Sequence, residues 1–576
     1  MVDLSTNIRQ PQNYSKNMNI NRTNSGLTFI SLGGIGTVTR NMHLYIVNNE
    51  ILIVDCGIGF PDQSTVPGVD FLIPDITYLK KLVDSGKKIV GMILSHGHED
   101  HIGAVPFVLD QLPQFPIYGT KFTAALTNIK LKDFALNKRV DEVDFNKDVT
   151  IGNFTFRLIR VTHSVPDTSH IFLKTPVGNY YHGCDYKFDL APVDKKPSDL
   201  QAIVAAGNTG INALFSDCLG SEREGHSESE SKITSNFEDE FRRAKGKVFI
   251  TTYSSNVARM NQAIEAALKF NRKVCFMGRF FLKVRDLARQ LGYLNCPEKW
   301  EVKPEKVNSM NPKEVMILLP GSQAQQESAL VRVATDSNRH GIKVDKNDTV
   351  IFSADPIPGN EISIYSLLDV LLQKGARIIY SDIANDFHVS GHGSQNDIKL
   401  LTSLLKPKFV IPISGNYRHM NAYSQLMREL SYDEKNVILI ESGQEVFFSG
   451  TTYRVGKKQD LKTVYVDEFT GDELEHFVLR DRQKISKEGV MIILAEVDTN
   501  SGKLVTPPDI IARGFLYPEK EEFSKKLVNQ LDKFLTEEKG KATNWGYYRK
   551  IIQRSAERLL MREKREPMVI PIIVEV

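Results

Sequence analysis

Short apolar runs that stop at a polar residue dominate the first third of the chain. Four of them have the length and apolar content of buried strands: residues 50–54, 89–94, 156–162 and 180–184. The polar residues just beyond these runs are Asp55, His96, His163 and Asp185. Functional side chains gather where the strands of α/β folds stop. We therefore expect these side chains to belong to one site.

Beyond residue 217 the pattern changes to strands that alternate with helices. A charged helical stretch covers residues 227–245, and the apolar runs that follow are 248–252, 274–277, 315–319 and 349–352. Strands that alternate with helices indicate a parallel sheet, so we predict a separate α/β domain here. An amphipathic pattern over residues 521–534 predicts a helix in a final α+β unit.

A histidine-rich cluster directly follows the apolar run 89–94. Residues 95–101 read Ser-His-Gly-His-Glu-Asp-His, so three of the 13 histidines lie within six positions. Imidazoles at positions i and i+2 converge where a strand ends in a turn, and the carboxylate and third imidazole that follow can face a second ion. We therefore favour the start of a metal site over the alternative, a solvated loop that happens to be rich in histidine.

The order of these motifs, Asp, His-x-His-x-Asp-His, His and Asp, resembles the metallo-β-lactamase superfamily. Further strings narrow the resemblance to the ribonuclease J family of its β-CASP branch: residues 31–36 with 41–42, 162–167, 353–360, 388–392 and 566–576. Together these strings are far more specific than a single glycine-rich pattern. The likeness covers residues 25–576.

The resemblance implies an α/β fold in three parts: a metallo-β-lactamase αββα sandwich, an inserted α/β β-CASP domain and a small α+β C-terminal domain. The expected segments are a flexible tail over 1–24, the first part of the sandwich over 25–217, the β-CASP domain over 218–376, the second part of the sandwich over 377–450, a linker over 451–463 and the C-terminal domain over 464–576. The tail is expected to be flexible because it is rich in Asn, Ser, Gln and Thr and offers little to bury.

The resemblance also implies that the site holds two divalent metal ions. The residues that it assigns are His96, His98 and His163 for the first ion, Asp100 and His101 for the second, and Asp185 as the bridge between them. Asp55 would orient the histidine-bearing loop through hydrogen bonds. Zinc is the expected ion, with manganese or magnesium as alternatives.

The family pairs an acidic residue with a histidine beside the scissile phosphate, here Asp217 and His392. A carboxylate raises the pKa of an imidazole and fixes its tautomer, so the protonated ring can protonate the leaving oxygen. Together with Asp100, this pair makes the catalytic set that the resemblance implies. Residues of the same motif that are expected to bind substrate phosphate are His388, Ser390 and Gly391.

One position departs from the family pattern at the second ion. After the run 409–413 the family has His-Gly-Glu, whose histidine binds that ion, and this chain has Ser414-Gly415-Asn416. A serine hydroxyl is a poor ligand for zinc or manganese, so we expect a weak second site. His419 is the nearest candidate for a replacement ligand.

Composition limits the class of protein. A chain of 576 residues is too long for one core, and 41% hydrophobic residues are ordinary for a globular protein. A net charge of +3 means that nucleic-acid affinity must come from a local groove. The five cysteines form no Cys-x-x-Cys pair, which favours a reducing compartment. No apolar run approaches the roughly 20 residues of a membrane span, and no secretory signal is evident, so we expect a cytoplasmic protein without membrane contact.

The resemblance implies a metal-dependent ribonuclease that acts as a 5'-to-3' exonuclease with endonuclease activity in RNA maturation and mRNA decay. The implied partners are single-stranded RNA, a second copy in a homodimer or homotetramer, and a paralogous nuclease or a degradosome-type assembly. The terminal apolar run 568–573 would be unusual on an exposed tail, so we expect the C-terminal unit to support assembly.

Three alternative functions stay open at this point. A catalytically weakened β-CASP paralogue that binds RNA or a partner nuclease is favoured by Ser414. A small-molecule hydrolase is disfavoured because such enzymes lack the inserted domain. A DNA-directed relative can hardly be distinguished by sequence.

Overall fold

Two packed sheets share a hydrophobic core in the computed structural model of the chain. The structure describes residues 26–61, 68–356, 360–380, 387–467, 476–498, 504–514, 520–537, 545–562 and 564–576. The predicted tail over 1–24 and part of the turn 358–360 lie outside these residues.

The part of the chain up to residue 217 folds into twelve strands and five α-helices among the described residues. The strands are β1 (Leu27–Gly33), β2 (Met42–Val47), β3 (Glu50–Val54), β4 (Phe71–Ile73), β5 (Lys88–Leu94), β6 (Ile117–Gly119), β7 (Val140–Glu142), β8 (Asp148–Ile151), β9 (Phe154–Arg160), β10 (Ser169–Thr175), β11 (Gly178–Gly183) and β12 (Ile211–Asp217). The helices are α1 (Thr77–Asp84), α2 (Glu99–Ile102), α3 (Val105–Val108), α4 (Lys121–Asp133) and α5 (Leu200–Gly207). The runs predicted as buried strands are β3, β5, β9 and β11, which confirms that interpretation.

The later elements complete the sandwich after an insertion. The insertion contains α6 (Lys232–Arg243), β13 (Val248–Thr251), α7 (Val257–Lys269), β14 (Lys273–Phe276), α8 (Arg279–Gln290), α9 (Pro304–Val307), β15 (Val315–Leu319), α10 (Ala329–Ala334), β16 (Thr349–Phe352), α11 (Glu361–Gln373) and β17 (Arg377–Ile379). The elements after it are α12 (Gln395–Leu405), β18 (Phe409–Ile413), α13 (Tyr417–Glu429), β19 (Gln444–Ser449) and β20 (Thr452–Lys458).

The sandwich brings several strand ends to one edge. Its strand orders are β20-β19-β1-β2-β3-β5-β6-β7 and β18-β12-β11-β10-β9-β8. The rings of Phe29 and Phe215 lie 4.2 Å apart between their centroids, in the core that the two sheets share. Because β11, β12 and β18 run parallel, Asp185, Asp217 and Ser414 come together at the carboxyl ends of neighbouring strands.

The insertion forms the predicted parallel sheet, with strand order β14-β15-β13-β16-β17. Strands β13, β15 and β16 are short, fully buried and mostly apolar runs with helices between them, which confirms the predicted parallel α/β sheet. The last strand, β17, continues this sheet beyond the predicted boundary at residue 376.

The segment predicted as a linker over 451–463 contains a strand. Residues Thr452–Lys458 form β20, which pairs antiparallel with β19 after a turn at Gly450. The side chains of β20 are mostly exposed, so the sequence shows no apolar alternation there. Backbone pairing to β19, which sequence patterns do not display, defines this strand.

A second unit joins residues 462–576 to residues 58–75, which were expected in the sandwich. Its further elements are β21 (Val464–Val466), α14 (His476–Glu488), β22 (Val490–Val497), β23 (Asp509–Arg513), α15 (Lys520–Glu537), α16 (Trp545–Arg562) and β24 (Met568–Glu575). Pairing of β4 with β21 recruits the distant segment, and α15 confirms the predicted helix. In the part of the chain that is described, no helix is both long and apolar enough to cross a bilayer.

Candidate metal centre

One carboxylate oxygen, Oδ2 of Asp185, lies at the centre of the predicted site. It is 3.6 Å from His96 Nε2, 3.7 Å from His163 Nε2 and 3.3 Å from His101 Nε2. His96, His163 and Asp185 lie in loops beyond β5, β9 and β11, and His101 lies in the short helix α2 that follows the β5 loop, so the strand ends determine the arrangement. The structure therefore brings together side chains that are separated by up to 89 positions, from His96 to Asp185.

The first group of potential ligands contains His96, His98, His163 and Asp185. Ligand atoms of all four lie within 4.8 Å of one another. Nδ1 of His98 lies 3.1 Å from His96 Nε2 and 3.0 Å from His163 Nε2, so three imidazole nitrogens converge. Three histidines and one carboxylate are a donor set that suits zinc.

The second group contains Asp100, His101 and Asp185, whose ligand atoms also lie within 4.8 Å of one another. His101 Nε2 is 3.7 Å from Asp100 Oδ2. Burial raises the pKa of Asp100 to about 6. Burial alone would lower the pKa of His101, but the carboxylates of Asp185, Asp100 and Asp55 outweigh it and raise that pKa. This acid-rich group offers two carboxylates and one imidazole to a cation.

Asp55 contacts His101 directly and His96 through Ser95. It has a φ of 61°, a conformation that is uncommon outside glycine, at the turn after β3. Its Oδ2 accepts a hydrogen bond from His101 Nδ1 at 2.8 Å and another from Ser95 Oγ at 2.8 Å. Ser95 Oγ in turn accepts from His96 Nδ1 at 3.0 Å. In the tautomer that donates from Nδ1, Nε2 of His96 offers its lone pair to a metal, and a metal at His101 would take the place of the Nε2 proton that the nearby carboxylates favour.

The other two imidazoles also have fixed orientations. His163 Nδ1 donates to the carbonyl oxygen of Gly391 at 2.7 Å, and His98 Nε2 donates to Ser164 Oγ at 3.1 Å. A Cβ atom at Gly391 would lie 2.7 Å from the His163 ring, so glycine is required for this close approach. Sequence reasoning missed Ser95 and Ser164, whose adjacency to histidines was the one signal that could have identified them.

The residues present fit divalent cations. Within the described part of the chain, Asp185 Oδ1 is buried without a hydrogen-bond partner, which is costly unless another group binds there. Burial lowers the pKa of His96, His98 and His163, to about 3 for His163. These imidazoles are therefore neutral, which is the form that binds a metal.

The predicted acid pair lies beside the same carboxylate. His392 Nδ1 donates to Asp217 Oδ2 at 2.7 Å, and His392 Nε2 is 3.8 Å from Asp185 Oδ2. Burial alone would lower the pKa of His392, but the carboxylates of Asp217 and Asp185 outweigh it and raise that pKa. The raised pKa favours the protonated ring of His392, with a proton on Nε2 next to the metal groups.

The residues expected to bind phosphate have other contacts. The Gly391 carbonyl orients His163, and Ser390 Oγ accepts from the backbone N–H of His392 at 3.1 Å. His388 Nε2 lies 3.4 Å from Asp355 Oδ2, and burial, with the charge of Arg259, lowers the His388 pKa to about 3. These contacts position the motif, and the phosphate contacts stay a prediction.

Ser414 lies outside both groups of potential ligands among the described residues. It is buried with a φ of 55°, and its Oγ donates to Asn41 Oδ1 at 3.2 Å. His419 does not replace the missing histidine, because its Nδ1 accepts from Asn416 N at 3.2 Å and its Nε2 lies 3.4 Å from Glu222. The second group therefore keeps only the three ligands expected from the sequence.

A buried ionic network supports the segment that carries His392, and sequence reasoning missed it. Arg259 is fully buried and donates to Glu230 Oε2 at 2.6 Å and to the carbonyl oxygen of Phe387 at 2.8 Å. Glu230 Oε1 lies 3.4 Å from Lys187 Nζ. Helix α7 of the insertion is thus connected to the segment before His392, through Phe387, and to the loop after Asp185, through Glu230 and Lys187.

Sequence models of four families match the chain. They are described as Metallo-beta-lactamase superfamily over residues 35–226, Ribonuclease J, beta-CASP domain over 245–371, Zn-dependent metallo-hydrolase RNA specificity domain over 382–439, and Ribonuclease J C-terminal domain over 477–576. Together these matches agree with the expected order of the three parts.

Curated relatives match along nearly the whole chain. Ribonuclease J2 of Bacillus subtilis (strain 168) is 32% identical over 560 residues, covering 96% of this chain and 100% of the relative. Ribonuclease J of Thermus thermophilus is 32% identical and covers 95% of each chain, and ribonuclease J of Helicobacter pylori (strain 26695) is 35% identical, covering 90% of this chain and 75% of the relative. A solved structure of a protein of unknown function from Enterococcus faecalis V583 shares the fold, with a TM-score of 0.51 at 14% identity, covering 73% of this chain and all of that one.

Proposed function

The chain belongs to the ribonuclease J family, and on that premise we propose that it hydrolyses RNA phosphodiester bonds with the help of divalent metal ions. We propose further that it is a 5'-to-3' exonuclease with endonuclease activity in RNA maturation and mRNA decay. The observation that supports this most directly is the convergence of both ligand groups and His392 on Asp185.

The ligand groups, His392 and the residues that orient the imidazoles have different roles in the proposed reaction. Divalent ions bound by the two groups would supply an activated water and neutralise charge on the phosphoryl group. His392, protonated on Nε2 and held by Asp217, donates its proton to the leaving oxygen. Asp55 and Gly391 keep the imidazoles of His101 and His163 in the orientation that exposes Nε2.

A product analysis tests the proposed reaction. Single-stranded RNA with a 5'-monophosphate should be shortened to mononucleotides from its 5' end, faster than the same strand with a 5'-triphosphate. Internal fragments from both strands at equal rates would instead indicate a pure endonuclease. The names of the relatives do not favour the alternative, a weakened paralogue that only binds RNA or a partner nuclease.

We propose that the second ion, held only by Asp100, His101 and Asp185, binds less tightly than the first. The purified protein should contain closer to one tightly bound ion than two. Ser414→His should restore the family ligand and tighten the second ion roughly 10- to 100-fold, so that activity depends less on added manganese. Metal analysis of both proteins after dialysis gives the occupancy.

A His419→Gln variant is the matched control, because His419 is the histidine nearest to Ser414 in the sequence and contacts Glu222. It should retain the metal content of the unmodified protein. Two tightly held ions in the unmodified protein, with one lost in the His419→Gln variant, would show that His419 is a ligand and contradict the weak second site.

We propose that the C-terminal unit joins two copies through one face of its sheet. In the order β23-β22-β24, helices α15 and α16 pack with the face that contains Met491, Ile493 and Val569. The alternate residues of these strands lie on the opposite face, where Ile511, Ile572 and Val574 are exposed. The terminal run 568–573 is thus a strand with apolar side chains available to a second copy.

Ile572→Asp with Val574→Asp should lower the mass in solution from dimer or tetramer to monomer, because each charge would be buried unpaired in the interface. Light scattering of the full-length variant measures this. The variant is preferable to deletion from residue 464 onward, which would also remove the β21 partner of β4. A variant that stays dimeric would show that the copies meet elsewhere.

A paralogous nuclease or a degradosome-type assembly remains a proposed further partner, and the cytoplasm the proposed compartment. All five cysteines are buried thiols without disulfides, which suits a reducing environment.

A further inference from the structure

Arg223 lies beside His392 and has no role in the chemistry proposed above. Its Nη2 donates to the carbonyl oxygen of His392 at 3.1 Å. The backbone around it is fixed, because Arg223 N donates to Gly220 O at 3.0 Å and Arg223 O accepts from Gln395 N at 2.9 Å. The guanidinium is therefore anchored at the rim of the metal centre.

The charge of Arg223 is not neutralised by a close carboxylate. Among the described residues, no Asp or Glu oxygen lies within 4.0 Å of its guanidinium, and the side chain is exposed. The adjacent Glu222 is engaged by Arg418 and His419 instead. This single hydrogen bond to the His392 carbonyl leaves most of the five N–H donors of the guanidinium available to solvent or to a ligand.

The surroundings explain why such a cation would matter to a polyanionic substrate. Asp100, Asp185, Asp217 and Asp355 all lie at or near the centre and repel phosphates. His388, the other group expected to meet phosphate, is neutral because burial and Arg259 lower its pKa. A guanidinium with free donors can bind a phosphate through a fork of two parallel N–H···O bonds, which a neutral imidazole cannot do.

Building on the proposed ribonuclease function, we infer that Arg223 binds a backbone phosphate of the RNA strand next to the scissile one and so aligns the strand against His392. The fork binds two non-bridging oxygens of that phosphate, while Nη2 keeps its contact with the His392 carbonyl. Arg223 is thus a substrate-binding residue whose loss weakens strand binding before it affects the proton transfer.

A binding assay at several salt concentrations tests the proposed phosphate contact. The ligand is a fluorescein-labelled, 5'-monophosphorylated single-stranded RNA, and its binding is measured by fluorescence anisotropy. A chelator in the buffer prevents hydrolysis, so the strand stays intact. Arg223→Gln should weaken binding roughly 10-fold. It should also reduce the slope of log affinity against log salt by about 0.7, the value for one phosphate contact on a single strand. Arg223→Lys should recover the slope and only part of the affinity, because it keeps the charge without the fork.

The matched control is Arg242→Gln, which makes the same charge change at an exposed arginine that pairs with Asp239 on α6. The Arg242→Gln variant should leave the slope of log affinity against log salt unchanged. This result would show that the effect of Arg223→Gln comes from a local phosphate contact and not from the change in net charge. An Arg223→Gln protein with the wild-type slope and a lower kcat would show that Arg223 only supports the His392 loop, and the inference would be overturned while the proposed function stands. A wild-type protein that neither binds nor cleaves RNA would overturn both.

Discussion

His96→Ala and Asp185→Ala should each abolish RNA hydrolysis, with a loss of at least on the order of 10²- to 10³-fold. His96 is one of three imidazoles in the first ligand group, and Asp185 belongs to both groups. Removing Asp185 also removes the negative charge that stabilises the protonated forms of His101 and His392. Single-turnover assays on labelled RNA with saturating manganese give the rate of each variant.

The control for this prediction is His340→Ala. This histidine lies in the inserted unit and contacts Glu305 at 3.2 Å, away from every ligand group of the described residues. Its loss should leave the rate within about two-fold, because this partly buried histidine belongs to none of the ligand groups. Undiminished hydrolysis by the Asp185→Ala protein would show that the centre around Asp185 does not perform the chemistry.

His392→Ala should lower kcat by roughly 10²- to 10⁴-fold, the usual contribution of a positioned general acid. The variant should keep the ions of the two metal groups, because His392 is held by Asp217 and belongs to a third cluster, with Asp185 and Asp217, and to neither of those two groups. The measurement is kcat under saturating RNA, with metal analysis of the same sample. A variant that loses its ions along with its rate would instead make His392 a ligand.

The pH profile provides a second measure of the same role. Catalysis needs the protonated ring, and its population falls as pH rises through the pKa of His392. Since the carboxylates of Asp217 and Asp185 raise that pKa above its ordinary value, activity should extend to higher pH than an unperturbed imidazole would allow and then fall on the alkaline side. Asp217→Asn removes one carboxylate that raises the pKa, so the alkaline loss should begin at lower pH. An unchanged alkaline limb in that variant would contradict the acid role.

Residues close in sequence allowed much of the centre to be predicted. The string 95–101 alone contains four potential ligands, and the structure brings His96, His98, Asp100 and His101 to one place. Strand ends predicted the remaining partners, because β9 and β11 stop just before His163 and Asp185. The departure at Ser414 was visible only by resemblance, and the structure adds that the hydroxyl is engaged by Asn41.

Other features depend on contacts between distant segments, which local patterns do not reveal. The Gly391 carbonyl meets His163 across 228 positions, and Arg259 reaches Phe387 across 128. The strand β20 is defined by its pairing with β19, although its side chains are mostly exposed. For the same reason the segment 58–75 could not be assigned to the second unit from its own sequence.

The most direct test of the account is the rate of hydrolysis of 5'-monophosphorylated single-stranded RNA by the full-length protein, with bound metal counted on the same sample. We predict hydrolysis that stops in chelator, returns with added manganese or zinc, and is absent in the His96→Ala protein. Intact RNA in the presence of protein that carries its ions would contradict the account, and would make the chain an RNA-binding paralogue without nuclease chemistry.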